Sequence, residues 1–325
     1  MTTMDAHIHY GDDDPAFLAL LAEFDLKLLN ICVAETTASR WRDQADVYRM
    51  LTRQHSRQFA WCTSFDVPGP NAGADYIERV IAGLQQDFAA GAVACKIWKN
   101  IGMEARMPEG DFRMPDDPLF DPILAFIARE GRTLLCHIAE PLECWQPLNP
   151  DGVHYSYYSA YPEWHMHNRP GFPSHERLMA ARDRMIEKHP ALRVVGAHLG
   201  SLEWDVAEVA KRLARYPNFA VDISARLGDL AAQDSDVVRA FVCDYADRVL
   251  FGTDIVMRKR LADVAADVRE STLNQVRATY RAYFDYFERS DDVTIRRKPV
   301  RGLGLPEPVL RRIYLDNARE WYPGI

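Results

Sequence analysis

The chain has 325 residues, with 39 Lys and Arg against 47 Asp and Glu, which gives a formal net charge of −8 at pH 7. Proteins that bind nucleic acid usually carry a basic excess, so this balance argues against a DNA or RNA partner. Hydrophobic residues make up 48% of the chain and charged residues 26%, a composition that excludes a disordered protein.

Eight short apolar runs recur along the chain. Each run is rich in apolar or β-branched residues and is followed by a polar or glycine-containing segment, as expected of buried parallel strands. The runs predict strands over residues 4–9, 26–34, 59–65, 91–98, 133–139, 192–199, 219–224 and 249–255.

Stretches with apolar residues at helical spacing lie between several of these runs. They predict helices over residues 15–24, 76–88, 118–129, 175–188 and 206–216. Strands alternating with helices predict an α/β protein built as a single (β/α)8 TIM barrel, without a second domain in residues 1–325. An open doubly wound sheet is the alternative, and it is disfavoured because no Gly-x-Gly-x-x-Gly follows any predicted strand.

Two segments are additional to the strands and helices of a minimal barrel. Residues 142–174 follow the fifth predicted strand and are crowded with aromatic side chains. A long loop at this end of a barrel strand lies on the catalytic face, which predicts a lid or pocket wall; the alternative is an aromatic cluster that only caps the barrel. Residues 290–306 are predicted as a solvated connector into a final helix near 308–321.

The compartment is predicted from the termini and the cysteines. The six cysteines are scattered without CxxC spacing, which favours buried reduced thiols over disulfides. No run approaches the ~18 consecutive apolar residues that span a bilayer. The first residues carry no signal-peptide pattern. We therefore expect a cytoplasmic protein without a membrane partner.

Metal-ligating side chains recur at the ends of the predicted strands. His7 and His9 alternate on the first strand, so both imidazoles point to one face. His137, His198 and Asp254 end the fifth, sixth and eighth strands. Because a barrel places its active site at these strand ends, the pattern predicts a metal centre there.

Lys96 ends the fourth predicted strand and points into an apolar barrel. A buried lysine is costly while it is charged. One interpretation is an uncharged amine that reacts with CO2 to give a carbamate bridging two metal ions. The other is an ion pair with an acidic neighbour or a substrate carboxylate, and the residues alone do not separate the two.

The motifs together resemble the amidohydrolase superfamily, in particular its amidohydrolase-related subgroup, also called amidohydrolase 2. The resemblance lies in Asp5-Ala-His-Ile-His9, Gly196-Ala-His-Leu-Gly200, Phe251-Gly-Thr-Asp254 and Leu315-Asp-Asn-Ala318. It extends over residues 4–321. Such a motif set is specific for the superfamily and says little about the substrate.

The resemblance implies a divalent metal, zinc or manganese. The protein ligands that it implies are His7, His9, His137 and Asp254. In mononuclear relatives the sixth-strand histidine, here His198, polarises or protonates the substrate. In binuclear relatives the fourth-strand lysine, here Lys96, is carbamylated and His198 binds the second ion. This sequence has both residues, so it leaves the number of metals open.

The expected activity follows from such an ion, which makes a water molecule reactive at neutral pH. Asp254 would take the proton of that water, and His198 would face the developing oxyanion. The expected target is an ester, lactone or amide carbonyl of a small molecule. The alternative is a decarboxylase or hydratase acting on a small carboxylated substrate. A homo-oligomer is expected from the habit of the family.

Candidate substrate contacts come from the loops after the strands. A further cation that could clamp a carboxylate is Arg40. A second His-x-His, His165 and His167, lies in the predicted lid and is interpreted as a lid or substrate contact, not as a second zinc site. The predicted substrate-binding residues are Trp98, Lys99, Glu140, Trp145, Trp164, Glu203 and Arg226.

Overall fold

The computed structural model describes residues 1–36, 40–257 and 259–325. It is an α/β fold with a nine-stranded parallel sheet in the order β8-β7-β6-β5-β4-β3-β2-β1-β9. The strands are β1 Thr3–Tyr10, β2 Leu26–Ile31, β3 Phe59–Ser64, β4 Ala94–Ile97, β5 Thr133–Cys136, β6 Arg193–Gly196, β7 Phe219–Asp222, β8 Val249–Leu250 and β9 Val256–Met257.

The sheet curls because its two edge strands, β8 and β9, belong to one stretch of chain, residues 249–257. The backbone N–H of Ala6 donates to Phe251 O at 2.9 Å, and that of Asp254 donates to His7 O at 2.8 Å. The segment that pairs with β7 at its start therefore reaches β1 at its end. This arrangement agrees with the predicted TIM-like barrel.

Helices connect most successive strands. Three of the longer ones, α2, α11 and α12, were not predicted, although the buried residues Trp41, Ala45, Tyr48 and Leu51 give α2 a helical period. The helices are α1 Pro15–Glu23, α2 Trp41–Gln54, α3 Ala74–Ala89, α4 Asn100–Met103, α5 Asp121–Arg129, α6 Tyr155–Ala160, α7 His175–Lys188, α8 Ala197–Gly200, α9 Val206–Arg215, α10 Leu227–Leu230, α11 Ser235–Asp244, α12 Ala266–Glu288, α13 Glu307–Arg311 and α14 Asn317–Trp321.

Several strands end earlier than predicted. The extended conformation of β5, β6 and β8 stops at Cys136, Gly196 and Leu250, so the predicted site residues of these strands lie just beyond them. The chain then turns through a left-handed backbone, with φ of 59° at both His198 and Asp254. This conformation is uncommon for residues other than glycine and is frequent at functional sites.

The C-terminal helix covers the opposite end of the barrel from these turns. Trp321, Tyr322 and Ala318 pack with the inward-facing residues of the strands in a buried apolar cluster. The hydroxyl of Thr133, the first residue of β5, donates to the carbonyl of Trp321. Access to the barrel interior is therefore from the C-terminal ends of the strands.

Residues 290–306 differ from the prediction of a solvated connector. They contain an antiparallel hairpin of β10 Asp292–Ile295 and β11 Lys298–Arg301. Val293 and Ile295 are buried, so an alternating apolar pattern drives the pairing. The predicted final helix is present as α13, a π-helical turn at Arg312–Asp316, and α14.

All six cysteines are free, and five of them are buried, as predicted. Within the described parts of the chain, no helix is both long enough and apolar enough to cross a membrane.

Candidate active site

A cluster of three side chains lies at the C-terminal ends of β1, β6 and β8. One ligand atom each of His7, His198 and Asp254 lies within 4.8 Å of the others. His9 joins the edge of this cluster, because its Nε2 is 3.3 Å from Oδ1 of Asp254, against 3.6 Å for Nε2 of His7. The structure thus brings four of the predicted site residues together.

The imidazoles of His7, His9 and His198 are each held at Nδ1 by an oxygen that only accepts hydrogen bonds. A proton on Nδ1 leaves Nε2 with a free lone pair, which is the form that binds a metal ion. The contacts join Nδ1 of His7 to Oδ2 of Asp222 at 2.8 Å, Nδ1 of His9 to the carbonyl of Ile31 at 2.7 Å, and Nδ1 of His198 to the carbonyl of Ser224 at 2.8 Å.

Asp222, the last residue of β7, anchors two members of the cluster. Its Oδ2 contacts His7, and its Oδ1 accepts the backbone N–H of His198 at 2.9 Å and the hydroxyl of Ser224 at 2.5 Å. Burial opposes ionisation of this carboxyl, but the charge and hydrogen bond of His7 outweigh it and hold the pKa of Asp222 below its usual range. The sequence analysis missed Asp222, although an acid at the end of a buried strand was a usable signal.

Asp5 fixes the loop that carries Asp254. It is fully buried and accepts the hydroxyls of Thr253 at 2.5 Å and Tyr280 at 2.8 Å. Its Oδ1 also accepts the backbone N–H of Thr253 at 3.1 Å. Burial raises the pKa of Asp5 to about 6 against the opposing effect of these hydrogen bonds. Asp5 thus joins β1 to the segment that closes the sheet.

The electrostatics of the cluster favour a cation. Burial lowers the pKa of His9, lowers that of His198 to about 3 and places that of His137 well below its usual value, so these rings are neutral at pH 7. Burial opposes ionisation of Asp254, but its hydrogen bond with His9 and its electrostatic coupling to His198 and His7 keep its pKa well below normal. Neutral imidazoles around a carboxylate form a donor set that suits a divalent metal.

His137 lies beside the cluster. Its ring meets that of His198 edge to face, with centroids 4.4 Å apart. Among the described residues, the group within 4.8 Å contains His198 and omits both His137 and His9. A ligand role for His137 therefore remains a prediction.

Lys96 contacts the cluster from β4. Its Nζ lies 3.0 Å from Nε2 of His7, and the residue is only 2% exposed. Burial lowers the pKa of this amine. Lys96 thus reaches the same imidazole nitrogen that would face a metal, which is compatible with the carbamate interpretation of this lysine.

A pocket of about 610 Å³ opens above the cluster, and a second of about 350 Å³ adjoins it. Both are lined by His198 and Asp254, and by Tyr157 from the 142–174 segment. The larger pocket also reaches Trp98 and the exposed Arg40. The predicted lid segment therefore contributes to the wall of the site.

Lys99 is the centre of a buried polar and aromatic group. It forms an ion pair with Glu140, whose other oxygen accepts the hydroxyl of Tyr158 at 3.2 Å. The Lys99 ammonium lies 3.7 Å from the ring centroid of Trp164 and 5.0 Å from that of Trp98. Four of the predicted substrate-binding residues are thus brought together, and Lys99 and Glu140 line the smaller pocket.

Arg226 lines the smaller pocket after β7. It is 8% exposed, its Nη1 donates to the carbonyl of Ala225 at 3.0 Å, and its Nε has no hydrogen-bond partner. A buried guanidinium donor without a partner is costly unless a ligand satisfies it. This residue therefore has the free donor that an anionic ligand needs.

Other predicted contacts lie outside both pockets. Trp145 donates from Nε1 to the carbonyl of Pro173 at 2.9 Å and packs edge to face on His175. Glu203 is 1% exposed and accepts the backbone N–H of Leu142 at 2.8 Å. These contacts support the 142–174 segment at positions outside the two pockets.

The second His-x-His is bonded within the same segment. His165 Nε2 contacts the carbonyl of Gln146 at 2.9 Å, and His167 Nδ1 contacts that of Trp145 at 3.2 Å. Neither histidine belongs to a group of potential metal ligands among the described residues.

Comparisons with known proteins show the family and agree with the fold. The sequence model of a family described as amidohydrolase matches residues 5–324. None of the curated proteins matches the sequence. A Staphylococcus aureus structure described as an amidohydrolase is similar with a TM-score of 0.55 and 12% identity, covering 99% of both chains. The 4-oxalomesaconate hydratase of Rhodopseudomonas palustris is similar with a TM-score of 0.51 and 12% identity, covering 99% of this chain and 96% of that one. Identities this low show a shared fold.

Proposed function

The chain belongs to the amidohydrolase family, whose members are enzymes, and on this premise we propose that it is a metal-dependent hydrolase. Its proposed substrate is a small anionic molecule with an ester, lactone or amide carbonyl. One observation carries the proposal. The imidazoles of His7, His9 and His198 are each anchored at Nδ1, which leaves a lone pair on Nε2 of each ring for an ion beside Asp254.

The residues fit a divalent metal, and zinc and manganese suit imidazole and carboxylate ligands best. His7, His9 and Asp254 are the proposed ligands in every version of the site, with His137 or His198 completing the set. When bound, such a metal supplies Lewis-acid activation of water and of a carbonyl oxygen. A carbamylated Lys96 would add a second ion, for which its buried amine beside His7 is suitably placed.

Asp254 is the proposed proton carrier. Its side chain is 25% exposed and faces both pockets, so it can accept a proton from an attacking water and return it to a leaving group. The Nδ1–H group of His198 donates a hydrogen bond to the carbonyl of Ser224, which leaves a lone pair at Nε2. That arrangement favours His198 as a ligand or base over the proton donor that mononuclear relatives suggest.

The wall of the pocket is proposed to select the substrate. Arg226, with its unpartnered Nε, is the proposed contact for a substrate carboxylate. Trp98 and Tyr157 line the larger pocket and offer apolar faces for the rest of the molecule. Residues 142–174 are therefore proposed as a pocket wall that belongs to the same domain as the barrel.

A lyase, either a decarboxylase or a hydratase, is the second candidate. The observation that favours it is the same buried Arg226 donor, because these reactions act on carboxylated substrates. The two activities differ in products: a decarboxylase releases CO2, a hydratase consumes a double bond, and a hydrolase yields an acid with an alcohol or amine.

The test begins with protein purified without chelator. Metal content per chain is measured by inductively coupled plasma mass spectrometry, followed by a panel of lactones, esters, amides and unsaturated acids. We expect bound zinc or manganese, loss of turnover on chelation, and recovery on metal addition. Turnover that persists in fully metal-free protein would contradict the proposal, and CO2 release or hydration without hydrolysis would assign the second candidate.

A further inference from the structure

A second group of potential metal ligands lies behind the pocket wall. Ligand atoms of His154, Glu203 and Asp229 lie within 4.8 Å of one another. They come from the 142–174 segment, the loop after β6 and the short helix α10 after β7. Of the three, only His154 lines the smaller pocket, so the group is separate from the His7 cluster.

Each carboxylate in this group has one satisfied and one unsatisfied oxygen. Oε1 of Glu203 accepts the backbone N–H of Leu142 at 2.8 Å, and Oδ1 of Asp229 contacts Nε2 of His154 at 2.8 Å. Oε2 of Glu203 and Oδ2 of Asp229 have no hydrogen-bond partner. The two residues are 1% and 6% exposed, so bulk water does not compensate them.

The charges around the group do not resolve this deficit. Burial raises the pKa of Glu203, although the charge of Arg226 opposes this, and no ion pair joins these two side chains among the described residues. His154 is the one ion-pair partner of Asp229 there, through the oxygen that is already bonded. The two free oxygens therefore lack a positive partner, which a cation would supply.

We propose that His154, Glu203 and Asp229 bind a divalent cation, separate from the metal of the active site. One imidazole with two carboxylates is a donor set that Zn²⁺ and Mn²⁺ accept. The ion would use the two unpartnered oxygens. It would also tie the pocket-wall segment to the loops after β6 and β7.

The first experiment counts metal ions on full-length protein loaded with Zn²⁺, and separately with Mn²⁺, and freed of excess by gel filtration. The isosteric variants Glu203→Gln and Asp229→Asn are compared with wild type and with Asp151→Asn, an exposed carboxylate of the same segment. We expect about one ion fewer per chain in the two variants and none lost in the control. Equal metal content in all four proteins would overturn the proposal and assign the free oxygens to bridging water.

The second experiment separates the two centres without relying on activity. In His7→Asn the active-site centre is disrupted, and we expect this variant to retain about one ion per chain, which His7→Asn combined with His154→Asn loses. His165→Asn replaces a half-buried histidine of the same segment and is the matched control in the same background. A His7→Asn protein without metal would contradict the second site, even where wild type is a metal enzyme. A metal-free wild type would contradict both the second site and the proposed function.

Discussion

The floor and the wall of the candidate active site are built differently. On the floor, His7, His198 and Asp254 stand at strand ends, and side chains such as Asp222 and Asp5 hold them with contacts that join distant strands. On the wall, residues 142–174 form short helical turns bonded largely within the segment, and Tyr157 and Tyr161 are 39% and 50% exposed.

This difference separates two tasks. Strand ends fixed by a hydrogen-bonded sheet keep ligand atoms in place to a fraction of an ångström, which metal chemistry requires. A segment connected to the sheet at few points tolerates substitution and can adapt to new substrates. The floor therefore indicates the class of chemistry, whereas the wall is the part that we propose selects the substrate.

The largest expected effect is at Asp254 on the floor. Asp254→Asn removes the proton carrier while keeping an oxygen for the metal, so we expect kcat to fall by about 10² to 10⁴-fold with metal partly retained. Steady-state kinetics and metal analysis on the same preparation measure both. Asp285→Asn, at a half-exposed carboxylate, is the control. A near wild-type kcat in Asp254→Asn would assign the proton transfer to another group.

Asp222→Asn tests the support behind the floor. The amide cannot hold the ring of His7 as the carboxylate does, so we expect metal affinity to weaken by about 10 to 100-fold. Competition with a chelator of known affinity measures the change. Asp87→Asn is a matched control, since Asp87 is also buried but contacts Arg42 and Thr63 away from the site. An unchanged affinity would make Asp222 a purely structural residue.

Arg226→Gln tests the wall. Loss of a charged hydrogen-bond donor costs about 1.5–3 kcal/mol, so we expect KM for a carboxylated substrate to rise by about tenfold or more with a smaller change in kcat. Kinetics with the acid and with its neutral methyl ester separate the effect of charge, and exposed Arg239→Gln is the control. An equal change for both substrates would place the anionic contact elsewhere.

Two tryptophans of the wall should respond differently. Trp164 faces the ammonium of Lys99, so Trp164→Ala removes a contact of about 0.5–2 kcal/mol, and we expect a few-fold increase in KM. Trp145 contacts Pro173 and His175 instead, so we expect Trp145→Ala to lower Tm and leave KM unchanged. The sequence analysis predicted both as substrate-binding residues. Steady-state kinetics and thermal unfolding of the two variants test this, and a raised KM in Trp145→Ala would assign Trp145 to substrate binding after all.

The smallest effect concerns the support of the wall at His175. Burial lowers the pKa of His175 from an unfolded value of 6.5 to about 4. Between these two pH values the imidazole is protonated in the unfolded chain and neutral in the native protein. The free energy of unfolding should thus fall by about 1 kcal/mol per pH unit below 6.5 from this group alone. Urea unfolding at pH 5 and 7 should show a shallower pH dependence in His175→Gln. Identical slopes would show that His175 is not the group responsible.

The sequence analysis predicted most of the side chains that form the floor of the site and few of the residues that hold them in place. His7 and His9 were recognisable because strand alternation places them on one face, and His198 and Asp254 because each follows an apolar run. The acid at the end of β7 was visible in the sequence, but its role as an anchor was not, since Asp222 is 215 residues away from His7 and only the curl of the sheet brings the two together.

The wall was harder to predict for a related reason. Composition indicated an aromatic segment at residues 142–174, but Trp145 turned out to face away from the pockets while Tyr157 lines them. Such assignments depend on irregular loop geometry, which has no periodicity to reveal which face a side chain occupies. The pairing of His154 with Asp229 was invisible for the same reason.

Asp222 also couples the histidines of the first and sixth strands to each other. One carboxylate group holds the ring of His7 and the backbone of His198, so a shift of either residue is transmitted to the other. A substitution that moves one histidine to suit another metal or reaction is therefore expected to move its counterpart as well. Redesign of this site has to treat the two histidines as one unit.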